Sequence, residues 1–383
     1  MGDEPVIRRL DGSTIAIAEA DRLARRVLAD AHITGAQLVV VQDGALRWSA
    51  AYGLRTRAPE RPMDRETTTW AASLTKAVFA TYVMQLVEQG RFQLDVPVAS
   101  QLRRPLTAYL GYRQSASALV ADPRWASVTP RMLLAHTAGL GNFASLEPDH
   151  RVHLYAQPGT AFRYSGDGIN LVQLLVEEQQ GAPLDVLMRA ALFAPLGMTR
   201  TGLVFDPAWA DDVADRFDTH GVFIAQTRRT PARAAGSMSA SADDLGAFLA
   251  ALLDGRVLRP STREAMLTPQ VAIRSLHQFP LHANEGMSDE TARVGLAYGL
   301  GWGLLTTTPY GPAFFKEGHG DGAQNYAICF PRQRTCMIIL TNSDNGETAF
   351  RALLEGIIGD DETPWEWEGY TPDYIEQSRA LGN

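Results

Sequence analysis

The strongest constraint on how this chain folds is where its strand signals fall. They sit at its two ends, while residues 86–234 read mostly as helix separated by Pro/Gly loops. AQLVVVQDGALRWSAAYG, residues 36–53, holds two β-rich runs around Asp43-Gly44, a dipeptide suited to a tight hairpin turn. From residue 296 the same signature returns in YGLGWGLLTT, AFFKEGHGDGAQNYAICFP and TCMIILTN. The simplest architecture joins both ends in one sheet. The expected fold is therefore α/β (α+β): an antiparallel sheet flanked by helices, built from residues 1–85 and 235–383, with a mainly helical insertion at 86–234.

Helical spacing of apolar residues predicts helices over 14–31 and over SADDLGAFLAALLDG, capped by Ser241 with Gly255 near its end. A last helix, TAFRALLEGIIG, precedes an acidic, Trp-rich tail, TPWEWEGYTPDY, whose aromatics are expected to pack back on the body. With 45% hydrophobic and 20% charged residues in 383, the chain has ordinary globular composition and enough length for a sizeable core. Its net charge of −8 offers no basic surface for nucleic acid. No apolar run is long enough to span a bilayer. The first residues, MGDEPVIRRLDG, lack a signal-peptide core, so the chain reads as cytoplasmic as it stands, or as periplasmic or secreted if a leader was removed. Oligomeric state is open.

Of 35 basic residues only two are lysine, Lys76 and Lys316. Arginine cannot lose its proton in a protein, whereas a desolvated or crowded lysine can. The two lysines are therefore where proton chemistry is to be sought. Cys329 and Cys336 flank a predicted hairpin turn; they could face each other across the strands, but they read as buried free thiols, because two cysteines make no disulfide framework. No Cys/His spacing suits zinc, and no metal or cofactor is expected.

Lys76 lies in WAASLTKAVFA, three residues after Ser73, which is one helical turn, so hydroxyl and amine share a face. A serine is a weak nucleophile until a base takes its proton, and a lysine made neutral by burial and positive charge supplies one. By itself the pair also reads as an N-cap serine with a solvated lysine; with so few lysines, chance is the weaker account. Tyr164, in PGTAFRYSGDG, becomes an acid or base if pressed against ammonium groups that favour its phenolate. Lys316, in FFKEGHGDG, reads as part of an edge strand where Gly318 lets a substrate approach the backbone. The N–H of His319 and that of Ser73 are candidate oxyanion donors.

In this order and context, these elements resemble the serine β-lactamase and penicillin-binding protein family, in particular class C β-lactamases and the related esterases and D-peptidases. LLAHTAGL, PGTAFRYS, AAGSMSASADDLGAFLAALL, YGLGWG and IILTN extend the resemblance over nearly the whole chain. The interval from Lys316 to Pro331 is similar to the family's as well. The resemblance implies an acyl-enzyme on Ser73, proton transfer by Lys76 and Tyr164, electrostatic support from Lys316, and oxyanion donors at Ser73 and His319. A shifted register, with His319-Gly320 as the third motif, leaves Asp321 where glycine is expected.

Two departures bear on substrate. Gly166 stands where the family's tyrosine motif carries an amide-binding asparagine. Glu317 stands where a hydroxyl helps receive a substrate carboxylate, and a charge there would repel it by about 4 kcal/mol at 4 Å and an effective dielectric of 20. The reading from sequence is thus a serine hydrolase of small esters or amides, an esterase or D-peptidase, in which Glu317→Thr improves cephalosporin acylation. The alternatives are a true class C-like β-lactamase or DD-carboxypeptidase and a non-catalytic penicillin-binding sensor or scaffold.

Overall fold

The structure is a computed structural model that describes residues 5–281 and 285–380. Among the described residues, nine strands form the central antiparallel sheet. Numbered in chain order they are β1 (Gly35–Gln42), β2 (Ala45–Arg57), β3 (Glu60–Pro62), β4 (Val271–Ala272), β5 (Leu296–Tyr298), β6 (Gly303–Leu305), β7 (Ala313–Gly320), β8 (Ala323–Phe330) and β9 (Thr335–Thr341). Their spatial order is β4-β5-β6-β7-β8-β9-β1-β2-β3, so the C-terminal strand β9 lies beside the N-terminal strand β1 and joins the two ends of the chain. The β1–β2 turn is at Asp43 and Gly44, both with positive φ (52° and 83°), as the Asp-Gly signal requires.

Every residue of β1 is buried, because helices cover both faces of the sheet. Alternation sends Val39 and Val41 to one core and Leu38 and Val40 to the other. The first core includes α2 (Leu74–Glu88), α3 (Gly166–Gln180) and α4 (Ala242–Leu253), and reaches into the helical region. The second contains the N-terminal helix, α1 (Ile17–Asp30), and the helix Phe350–Ile357. Ser241 caps α4 by accepting from the Asp244 N–H at 3.2 Å, and Gly255 just beyond it has φ +73°. The predicted N-terminal helix is shorter than its apolar pattern, since Thr14–Ala16 pair as a strand with Val6–Arg8.

The cysteine expectation is corrected. Cys329 and Cys336 face each other directly across β8 and β9, with Cα atoms 4.0 Å apart, and form a disulfide. Spacing along the sequence does not reveal this; the strand register does.

The tail packs back. Trp365 and Trp367 are buried in the second core, and the Trp367 carbonyl accepts from the Gln278 N–H at 2.8 Å. Trp367 has no exposed surface and its ring packs near Phe162 and Phe315. Trp367→Ala should lower the free energy of unfolding by about 3–5 kcal/mol, measured by urea denaturation.

Candidate active site

Between the short strand Thr69–Trp70 and α2 the chain turns sharply, with Ala72 at φ +45°. A non-glycine residue there carries backbone strain of the order of 1 kcal/mol. The turn places Ser73 at the start of α2, where Lys76 Nζ donates to its Oγ at 2.9 Å. The same amine donates to the Ala235 carbonyl at 2.5 Å. Lys76 is 1% exposed, so the solvated reading of it fails. Burial drives its pKa well down, the positive charge of Lys316 lowers it further, and Glu317 opposes both.

Tyr164 precedes α3 and is capped into place by its neighbour: Ser165 Oγ accepts from the Gly168 N–H at 3.0 Å. Its ring lies beneath both lysines, with Lys76 Nζ 4.8 Å and Lys316 Nζ 5.1 Å from its centroid. The expected lowering of its pKa does not follow. Burial pushes the phenol well up and the Glu317 carboxylate adds to that, against the hydrogen bond with Ser73. Tyr164 is therefore a protonated phenol at neutral pH.

Lys316 lies on β7 and is fully buried, as is its neighbour Glu317, whose carboxylate pairs with the Lys316 ammonium. Gln278 Nε2 donates to the same carboxylate at 3.1 Å. Burial pushes the Glu317 carboxyl up, but the charge and hydrogen bond of Lys316 together outweigh it and hold the group below its usual range. Here the expectation that Glu317 repels a substrate carboxylate is revised: the side chain turns back onto Lys316 and is not among the residues lining the cleft.

β6 pairs with β7 only as far as Phe315, so residues 316–320 lie beyond the last paired residue on that edge. Gly318 meets the turn closely, since a Cβ there would lie 2.4 Å from the Ala71 carbonyl oxygen. That contact fits the register in which Lys316 and Gly318, rather than His319 and Gly320, form the third motif. His319 Nε2 shares a hydrogen bond of 2.7 Å with the Tyr370 hydroxyl, and burial pushes its pKa down to about 4.

Sequence reasoning missed three residues. Asn325 on β8 donates to the carbonyls of Trp70 and Gly318, both at 3.0 Å, and so staples the turn to β7. His136, from LLAHTAGL, packs its ring 4.4 Å from that of Tyr164 and accepts the Ser165 N–H through Nδ1 at 3.2 Å. Burial drives its pKa well down, and both lysines contribute, so it is a neutral spacer. The third, Phe143, explains Gly166: a Cβ at residue 166 would lie 2.1 Å from Phe143 Cζ, so the phenyl ring fills that space.

Ser73 opens onto a cleft of about 490 Å³ whose walls include Trp70, Tyr112, Phe143, Asn170, Arg229, Arg233, Gly236 and His319. Lys76, Tyr164 and Lys316 are not among the lining residues. Among the described residues, no group of His, Cys, Asp or Glu is arranged to hold a metal ion, and no helix is long and apolar enough to cross a membrane. Gly166→Asn should lower the melting temperature by roughly 2–4 °C or more, the effect of about 1 kcal/mol in a chain of this size or smaller. Thermal scans should show that Phe143→Ala in the same chain restores part of that loss.

The sequence matches the profile of the Beta-lactamase family over residues 20–358. Esterase EstB of Burkholderia gladioli is 28% identical over 227 residues, covering 52% of this chain and 55% of that protein, so the match spans about half of the esterase. Penicillin-binding protein 4 of Amycolatopsis lactamdurans is 25% identical over 355 residues, covering 86% of each. Among solved structures, the octameric penicillin-binding protein homologue from Pyrococcus abyssi superposes with a TM-score of 0.72 at 20% identity, covering 92% of this chain and 80% of that one. At that identity the likeness speaks to fold, and the fold is the β-lactamase/transpeptidase-like one expected from the motifs. With the family profile covering most of its length, this chain belongs to the Beta-lactamase family.

Proposed function

We propose that the chain is a serine hydrolase that acts through an acyl-enzyme on Ser73, as an esterase or a D-peptidase/amidase. One observation carries the reading: the Ser73 hydroxyl lies 2.9 Å from the amine of a buried lysine whose neutral form is favoured. A neutral Lys76 accepts the Ser73 proton as Oγ attacks the substrate carbonyl. The N–H groups of Ser73 and His319 receive the oxyanion. Tyr164, already protonated, donates to the leaving group and recovers a proton from Lys76. Lys316, neutralised on one side by Glu317, holds its remaining field on the phenol. In deacylation, water replaces the alcohol or amine and the proton path runs in reverse.

A second reading is a class C-like β-lactamase or DD-carboxypeptidase, and the burial of Glu317 favours it, because no carboxylate there repels an acidic substrate. Against it stands Gly166, which offers no amide-binding side chain and whose space Phe143 fills. Short-chain aryl esters and D-amino acid amides should therefore exceed a chromogenic cephalosporin in kcat/KM by about tenfold, or about 1.4 kcal/mol. A cephalosporin turned over faster than every ester and amide makes the chain a β-lactamase. Absence of both burst and turnover on all three classes makes it a sensor.

Ser73→Ala should lower kcat by about 10³-fold or more with little change in melting temperature. Intact-mass spectrometry with a phosphonate should find the adduct on Ser73, and an adduct elsewhere removes the mechanism. Lys76→Arg should be nearly as damaging as Lys76→Ala, since arginine cannot accept the proton, whereas Lys316→Arg should be milder.

The pH dependence has a definite sign. Activity requires neutral Lys76, so kcat/KM rises with pH through its pKa, with the acid limb well below the ordinary lysine range. The Lys316 charge lowers that pKa and Glu317 raises it. Lys316→Met should move the acid limb to higher pH and Glu317→Gln should move it lower, and stopped-flow acylation rates across pH would report both.

A further inference from the structure

The cleft beside Ser73 has one wall whose charge the mechanism leaves unused. Trp70 forms it, with the Arg229 guanidinium 4.1 Å and the Arg216 guanidinium 4.9 Å from its ring centroid. The indole is fixed: its N–H donates to the Gly236 carbonyl at 2.7 Å, and Gly320 leaves room for the ring, since a Cβ there would lie 2.1 Å from Cη2. Two guanidinium groups on one indole repel each other. Among the described residues neither makes an ion pair within 4 Å of a carboxylate, although Asp321 acts on both through space and Asp344 on Arg216. Arg216 is held from behind by the Asp321 carbonyl, and its Nε is buried without a hydrogen-bond partner. Burial lowers the pKa of both arginines, and for Arg229 the charge of Arg216 lowers it further.

Arg229 is exposed at the cleft and Arg216 is half-buried, so two guanidinium groups stacked on one indole without an ion-pair partner present an accessible positive wall that an anion can meet. Guanidinium forks match carboxylates in two-point geometry, and stacking on the indole keeps Arg229 in place with little rotamer freedom to lose. Trp70 precedes Ser73 by three residues, so their Cα atoms are at most about 11 Å apart. Arg229 and Ser73 line the same cleft, so a carboxylate on Arg229 and a scissile carbonyl at Ser73 can belong to one substrate.

We propose that Trp70, Arg229 and Arg216 form a recognition site for a carboxylate carried by the substrate itself, so that the preferred substrates are esters or amides with a free acid a short chain away from the scissile carbonyl. The inference rests on the hydrolase reading for its placement of the scissile bond, but the anion site is testable without turnover.

Ser73→Ala protein is titrated calorimetrically with monomethyl adipate and with dimethyl adipate, which differ in one free carboxylate. The monoester should bind about tenfold more tightly, and that preference should vanish in Ser73→Ala/Arg229→Gln and weaken with added salt. In the enzyme with Ser73 intact, the ratio of kcat/KM for the mono-p-nitrophenyl ester of adipic acid to that for p-nitrophenyl hexanoate should fall about tenfold on Arg229→Gln. Equal binding of the two adipates, or a preference that survives Arg229→Gln, overturns the anion site and leaves the hydrolase reading standing. An Arg229-dependent preference in a protein that hydrolyses neither nitrophenyl ester supports the anion site and overturns the hydrolase reading instead.

Discussion

The site depends on a problem of charge: two ammonium groups lie in the dry interior within about one ring's width of the same phenol. Two bare charges there would each carry a desolvation penalty of several kcal/mol. The protein resolves it unequally. Lys316 receives a carboxylate partner, Glu317. Lys76 receives only a hydroxyl and a carbonyl, which an amine satisfies without being charged. The asymmetry gives two chemically identical side chains different surroundings, which the proposed division into an electrostatic support and a base requires. Tyr164 between them feels burial and Glu317 more than it feels either lysine, and stays a phenol.

The rest of the structure holds that arrangement at fixed distance. Asn325 ties the turn before Ser73 to β7, and the absence of a side chain at Gly318 allows the two to touch. The C-terminal tail takes part from further out. Trp367 holds Gln278 through its backbone, and Gln278 holds the Glu317 carboxylate. Removing the tail's aromatic anchor therefore loosens the counter-charge of Lys316 as well as the second core. The strained φ of Ala72 belongs to the same logic, since a turn under strain persists only where its surroundings over-determine it.

Local chemistry was legible in the sequence wherever one or two residues determine an outcome. Asp43-Gly44 fixed a turn, Ser241 a cap, and Ser73 with Lys76 a shared helical face. What depended on register or on distant packing was not legible. The disulfide needs Cys329 and Cys336 to be directly opposed, which a one-residue slip would undo. The direction of Glu317 depends on its reaching back to the preceding lysine, where alternation along a strand would have placed the two side chains apart. Gly166 read in sequence as the loss of an amide-binding side chain; Phe143, 23 residues earlier, takes the space.

The chain's preference for arginine gains a physical sense from the two walls of its site. Behind Ser73 stand lysines, whose charge depends on surroundings and which can exchange a proton. In front stand Arg229 and Arg233 on the cleft, with Arg216 against the Trp70 ring, and arginine as a side chain does not exchange its proton in a protein. Glu317 is turned inward, so the charged residues lining the cleft are Arg229, Arg233 and Asp167 rather than the acid that the sequence put in the motif. The net charge of −8 describes the whole surface and says nothing of this local reversal, which is the quantity an approaching substrate meets.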